Sequence, residues 1–158
     1  MASISVSKVA WTKLILASVA LLMLACNPVE QISATEAVIY KNPNCGCCGA
    51  WAKHLKAEGF TVTQKISDDM GSVKAAHGVP ARLASCHTAI IDGYIIEGHV
   101  PADDIKRLLK ERPAIYGLTA PGMPMKSPGM QEEGLPPRGY DVLSFDKQGN
   151  SKIYNSYK

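Results

Sequence analysis

At 158 residues the chain is one domain's worth of sequence, and 46% apolar with 20% charged residues marks an ordinary globular protein, neither disordered nor fibrous. The formal net charge of +3 includes two lysines in the first 25 residues; without them 15 basic residues face 14 acidic ones, so the charge asks for no nucleic-acid partner. The informative count is five cysteines, three of them within four residues.

The N-terminus reads as a processing signal. Lys8 and Lys13 form a basic entry, Leu14 to Ala25 is an apolar run too short for a comfortable membrane span, and Cys26 follows directly. Met23-Leu24-Ala25-Cys26 resembles a bacterial lipobox, although Met23 stands where Leu is commoner. That resemblance makes residues 1–25 a lipoprotein-type signal peptide and Cys26 the lipidated first residue of a membrane-anchored periplasmic protein. An ordinary secretory peptide cut a few residues later is the alternative, and both readings export the chain. Residues 26–36 read as a polar tether, and the domain is expected over 37–158.

Ala37 to Tyr40 is apolar and partly β-branched, a strand, and Ala50 to Glu58 is rich in helix formers and stops at Gly59. Between them Cys45-Gly46-Cys47-Cys48-Gly49 falls at a helix N-terminus, where orphan N–H groups and the macrodipole favour thiolate. Cys45 and Cys48 have the C-x-x-C spacing of a redox dithiol, with Cys47 inserted. Two structural disulfides fit four such cysteines badly, because Cys47 and Cys48 are adjacent. A single reversible Cys45–Cys48 bridge forms easily.

Phe60 to Ile66 is a second strand, and Asp68 to His77 a short helix ended by Gly78 and Pro80. Thr88 to Ile91 and Tyr94 to Ile96, joined by Asp92-Gly93, carry the type I′ hairpin signature. Pro101 opens a helix whose buried stripe is Ile105, Leu108 and Leu109, and Pro113 ends it. Gly117 to Arg138, with five prolines and four glycines, reads as an irregular surface loop without strand or helix period. Tyr140 to Phe145 and Ser151 to Tyr157 read as a closing hairpin.

This order is that of a single thioredoxin-like α/β domain, with the dithiol at the first strand-to-helix turn. Cys86, at the start of the first hairpin strand, then faces the Cys45 loop as a fourth thiol. Pro80 is the candidate counterpart of the cis-proline opposite a thioredoxin dithiol. Of the histidines, His54 and His77 are expected on the solvated surface. His87 is expected to point away from the Cys86 thiol by strand alternation, and His99 to approach the site as a secondary ligand or hydrogen-bonding partner.

Thiolates combined with the thioethers of Met123 and Met130 suit Cu(I), and Met125 stands between them. Four thiolates would also take tetrahedral zinc, but zinc sites usually come as two separated C-x-x-C knuckles. Sulfurs as close as those of C-x-C-C bridge, so the natural occupant is more than one Cu(I) ion.

Taken together, Cys45-Gly46-Cys47-Cys48-Gly49, Ser85-Cys86-His87-Thr88-Ala89, Glu97-Gly98-His99-Val100-Pro101 and the Met123 to Met130 loop resemble the DUF411 family of bacterial metal-binding proteins, which includes CopG-type copper-resistance proteins. The resemblance runs from about Val38 to about Gly134; Lys126 stands where the family often has Gly. It implies a thioredoxin-like fold, export to the envelope and copper handling, with the cysteine positions as ligands. The expected function is therefore an exported copper-binding protein of envelope copper resistance, holding Cu(I) at Cys45, Cys47, Cys48 and Cys86. Coupling to copper or thiol redox chemistry and contact with other envelope copper-handling or redox proteins extend that reading. A thioredoxin-like thiol–disulfide oxidoreductase is the alternative.

Overall fold

The computed structural model describes residues 34–158, so the leader, Cys26 and most of the tether lie outside them. Strand β1 (Glu36–Lys41) alternates, burying Ala37, Ile39 and Lys41 and turning Val38 and Tyr40 toward the other face. Helix α1 (Gly46–Ala57) buries Cys48, Trp51, Ala52 and Leu55, the i, i+3, i+4, i+7 stripe of a helix with one face in a core. It begins four residues before the expected Ala50, because the C-x-C-C segment is itself the first turn. Strand β2 (Thr61–Ile66) is largely exposed, and helix α2 (Met70–Ala76) is capped by Asp69, whose carboxylate accepts from the Ser72 N–H at 2.9 Å.

A 3-10 turn (Ala81–Leu83) leads to β3 (Thr88–Ile91) and β4 (Tyr94–Glu97). Their connection has φ of 49° at Asp92 and 85° at Gly93, both left-handed as a type I′ turn requires. Helix α3 (Ala102–Glu111) places Asp103 and Asp104 in its first turn and Lys110 in its last, in keeping with the macrodipole.

The expected strand-free stretch after α3 is corrected at its start: Gly117–Thr119 forms β5, parallel to β4 and antiparallel to β6 (Tyr140–Phe145), which pairs in turn with β7 (Ser151–Tyr157). The closing hairpin is thereby welded into one seven-stranded sheet, ordered β2-β1-β3-β4-β5-β6-β7. Pro80 is also corrected. Every peptide bond among the described residues is trans, and Pro80 only initiates the 3-10 turn.

The main core joins Trp51 and Leu55 of α1 with Ile105 and Leu108 of α3 and with Ile39, Ile91, Ile96, Leu118 and Val142 of the sheet. Asp104, almost fully buried, accepts from the Tyr157 hydroxyl at 2.8 Å and the Asn155 amide at 2.9 Å, tying β7 to α3. No helix among the described residues is long and apolar enough to cross a membrane.

Candidate metal centre

The site begins at the first turn of α1. Cys45 is its N-cap, in extended backbone geometry and with no side-chain capping bond, so its sulfur is free to point elsewhere. Cys45 and Cys48 are joined by a disulfide with their Cα atoms 5.4 Å apart, and the Cys45 and Cys47 sulfurs lie 3.5 Å apart. Cys48 is fully buried; Cys45 and Cys47 are half-buried. Cys86 arrives from the segment before β3, and its sulfur and those of Cys45, Cys47 and Cys48 all lie within 4.8 Å of one another. The sequence expectation that Cys86 faces the C-x-C-C turn thus describes the observed geometry. Burial, with the neighbouring Cys47 adding to it, pushes the Cys86 thiol up to about 12. In the metal-free state Cys86 therefore keeps its proton at neutral pH, and a cation binding there must displace it.

A buried carboxylate, Glu97 at the end of β4, holds the Cys86 arm in place. It accepts from the Ser85 N–H at 2.6 Å, the Thr88 hydroxyl at 2.7 Å and the Lys74 ammonium at 2.5 Å. Glu97 has no exposure, and burial raises its pKa against the opposing pull of Lys74, Thr88 and Ser85. Sequence reasoning passed over this residue, yet the signal was there: a glutamate closing an otherwise apolar hairpin strand has to find partners inside.

His87 overturns its expectation. Its ring is fully buried, packs against Trp51 in a tilted pair at 4.4 Å between centroids and turns Nδ1 to within 3.2 Å of the Cys86 sulfur. The alternation argument failed because β3 starts at Thr88, so Cys86 and His87 precede the pleat. His99 is also buried, with Nε2 at 3.0 Å from the Cys86 sulfur and Nδ1 at 2.8 Å from the Pro128 carbonyl. A carbonyl only accepts, so Nδ1 carries the hydrogen and Nε2 presents its lone pair to the sulfur. Burial lowers both imidazole pKa values, His87 well below its ordinary range, and holds the rings neutral.

His54 and His77 are not solvated as expected. His54 is half-buried and its Nε2 accepts from the Ala102 N–H at 3.2 Å, at the start of α3, while His77 is half-buried against Tyr40 with centroids 5.3 Å apart. Both lie apart from the sulfur cluster.

The loop after β5 covers the site's edge through backbone rather than sulfur. Gly129 has φ of +83°, and a Cβ there would meet the Trp51 nitrogen at 2.6 Å and the Cys47 carbonyl at 2.9 Å. Only glycine lets this loop lie flat on the first turn of α1. Met123 and Met125 are 55% and 72% exposed, and Met130 is half-buried.

A family described as "Protein of unknown function, DUF411" matches residues 83–130, which hold Cys86, His87, Glu97, His99 and the methionine loop. Among curated proteins nothing matches. Among solved structures the chain is similar to "Copper resistance protein copG- Form 2", with 41% identity over 80% of this chain and 100% of that one and a TM-score of 0.73. "Copper resistance protein copG- Form 1" matches with 42% identity over 79% and 98% of the two chains, at a TM-score of 0.72.

Proposed function

The chain belongs to the DUF411 family of CopG-type copper resistance proteins, and from that premise we propose that it is an exported copper-binding protein holding several Cu(I) ions in a thiolate cluster. The observation that carries this reading is the meeting of four sulfurs, three from one helical turn and one from a segment about forty residues later, within 4.8 Å. Soft thiolates select Cu(I), and sulfurs packed this closely bridge ions instead of chelating one. The half-buried Met130 and the exposed Met123 extend the soft-donor surface on the covering loop.

Several further features support the wider reading. The strand order β2-β1-β3-β4, with parallel β1 and β2, antiparallel β3 and β4 and α1 leaving β1 at the dithiol, supports reading this part of the sheet as a thioredoxin-like domain. The Lys8 to Cys26 leader supports periplasmic export and lipid anchoring at Cys26. Redox coupling follows from the sulfurs themselves, since Cys45 and Cys48 in a disulfide are no longer thiolates, so oxidation of the pair and copper loading exclude each other. Envelope copper-handling or redox proteins are the partners this chemistry calls for.

The closed Cys45–Cys48 bridge at a helix N-terminus favours a second reading, a thiol–disulfide oxidoreductase. Reduction of insulin disulfides by metal-free protein separates the two. The leading reading is tested by counting Cu(I) on reduced protein. More than one ion per chain is expected, with sulfur-dominated X-ray absorption, and replacing Cys45, Cys47 and Cys48 together by Ser should abolish the cluster. Copper uptake unchanged by that triple replacement refutes it.

A further inference from the structure

A groove of about 640 Å³ lies beside the sulfur cluster, between α1, the start of α3, the end of β7 and the loop over residues 128–137. Its buried lining is apolar: Pro101, Ala102 and Pro128, flanked by the half-buried Ala50 and Tyr157. Leu135, 52% exposed, stands at its edge. We propose that this groove docks a partner protein through a cationic segment, which sets an apolar side chain on the floor and lysine or arginine side chains against the rim. That the partner exchanges copper rests on the preceding reading; the groove and the charge of its occupant rest on their own geometry.

The exposed rim carries the charge. Glu58, Asp103, Glu132 and Glu133 line the groove against one lysine, Lys53. Glu58 is engaged by Lys106 at 2.5 Å, whereas Asp103, Glu132 and Glu133 make no ion pair among the described residues. His54 adds no positive charge at neutral pH, because burial lowers its pKa although Glu58, Asp103 and Glu133 pull the other way. Its Nε2 accepts from the Ala102 N–H, so its hydrogen sits on Nδ1, which makes no hydrogen bond among the described residues and is left for an occupant. An apolar floor inside a charged rim is the anatomy of a protein interface, and the sign of the rim selects the partner and steers its encounter. A small-molecule pocket would instead fix polar groups inside, and the side chains of Pro101, Ala102 and Pro128 have none. The chain's own tether does not match: residues 26–35 contain Glu30 and no lysine or arginine.

The groove and the sulfur cluster share a wall. Pro128 and Gly129 line the groove, and the same two residues border the cluster: Gly129 lies against the backbone of Cys47 and Trp51, and the Pro128 carbonyl accepts from His99 Nδ1 at 2.8 Å. Ala50, which also lines the groove, follows Cys48 by two residues in the first turns of α1. A polypeptide held here is brought to the edge of the cluster without occupying it, and only the loop separates the two. That position suits a partner that gives or takes an ion.

The test uses the full chain in detergent and two short fluorescein-labelled peptides, one of lysine, proline and leucine and one with glutamate in place of lysine. Fluorescence anisotropy should show the lysine peptide binding with an affinity that falls as salt is added, and the glutamate peptide not binding. Reversing the rim charge with Glu132→Lys and Glu133→Lys together should weaken binding about tenfold, and Ala57→Trp, which fills the groove, should weaken it as well. Asp68→Lys with Glu111→Lys makes the same change in net charge at exposed positions away from the groove and should leave the affinity unchanged. Uptake of peptide by detergent does not respond to these variants, and circular dichroism confirms that each is folded. Binding that is absent, shared by the glutamate peptide, or lowered alike by both double variants overturns the site. Self-association in sedimentation that the groove variants abolish also overturns it, by making a second copy the occupant. Cu(I) counted on the reduced groove variants should stay at the wild-type number, so failure of docking and failure of the thiolate cluster are read separately.

Discussion

Glu97 is a carboxylate with no exposure, and among the described residues the cation that pairs with it is Lys74, whose side chain is 14% exposed. Replacing one member of such a pair strands the other, so Glu97→Gln is expected to lower stability by about 3 kcal/mol in denaturant unfolding, and Lys74→Met in the same chain to recover part of it. A loss below about 1 kcal/mol, the range of an exposed pair, would show that the network does not hold the Cys86 arm. His54 makes a different kind of prediction. Its pKa lies below the ordinary 6.5 because burial outweighs the opposing pull of Glu58, Asp103 and Glu133, with Lys106 acting in the same direction as burial. As the pH falls below 6.5 the unfolded chain takes up a proton that the folded one resists, so this contribution to stability is present at neutral pH and lost on acidification. His54→Gln keeps an acceptor for the Ala102 N–H, and unfolding at a series of pH values should show a shallower decline below 6.5 than wild type. An identical slope would mean that His54 titrates alike in both states. At this scale the sequence was most legible where residue type sets the chemistry, as at Cys45, Cys47, Cys48 and Cys86. It was least legible at His87 and Glu97, whose roles depend on which side of a strand boundary they fall and on what the fold brings to them.

At the scale of elements, local rules worked where the stabilising interactions are local. Asp92-Gly93 announces its turn because only a few residue types tolerate two successive positive φ values, and α3 announces itself through a charged first turn and an apolar stripe. Strand β5 has three residues, and its hydrogen bonds come from β4 and from β6, more than twenty residues further on, so no window of sequence contains its cause. The same applies to the Gly117 to Arg138 loop, whose Pro and Gly content reveals irregularity but not where it docks. Gly129 carries that docking. Gly129→Ala adds the cost of a positive φ to a clash with backbone atoms of Cys47 and Trp51, which cannot turn aside as a flexible side chain would. The loop should lift, at a cost of about 2 kcal/mol, and hydrogen exchange should accelerate at Ser127 and Met130, whose amides bond within the loop at 3.1 Å and 3.0 Å. Exchange unchanged at both amides would place the loop's stability elsewhere.

At the scale of the whole molecule, the sheet draws its register from distant segments. The bond from Trp51 to the Val100 carbonyl spans 49 residues and that from Tyr157 to Asp104 spans 53, so the described fold assembles largely through non-local contacts. The three thiols of the first turn of α1 are an exception, being neighbours along the chain whether it is folded or not. An unfolded chain therefore already offers copper three sulfurs, and among the four thiolates Cys86 is the one that distinguishes native from denatured ligand sets. By linkage, a ligand that binds both states stabilises the native one only by the difference in affinity. Cu(I) should accordingly raise the melting temperature of reduced protein by far less than its affinity alone implies. Cys86→Ser should erase most of that rise even though three thiolates remain, and scanning calorimetry at fixed Cu(I) activity measures both effects. The crowding that suits C-x-C-C to a metal cluster thus makes it a poor guardian of the fold, and leaves a single cysteine from a remote segment to couple copper to folding.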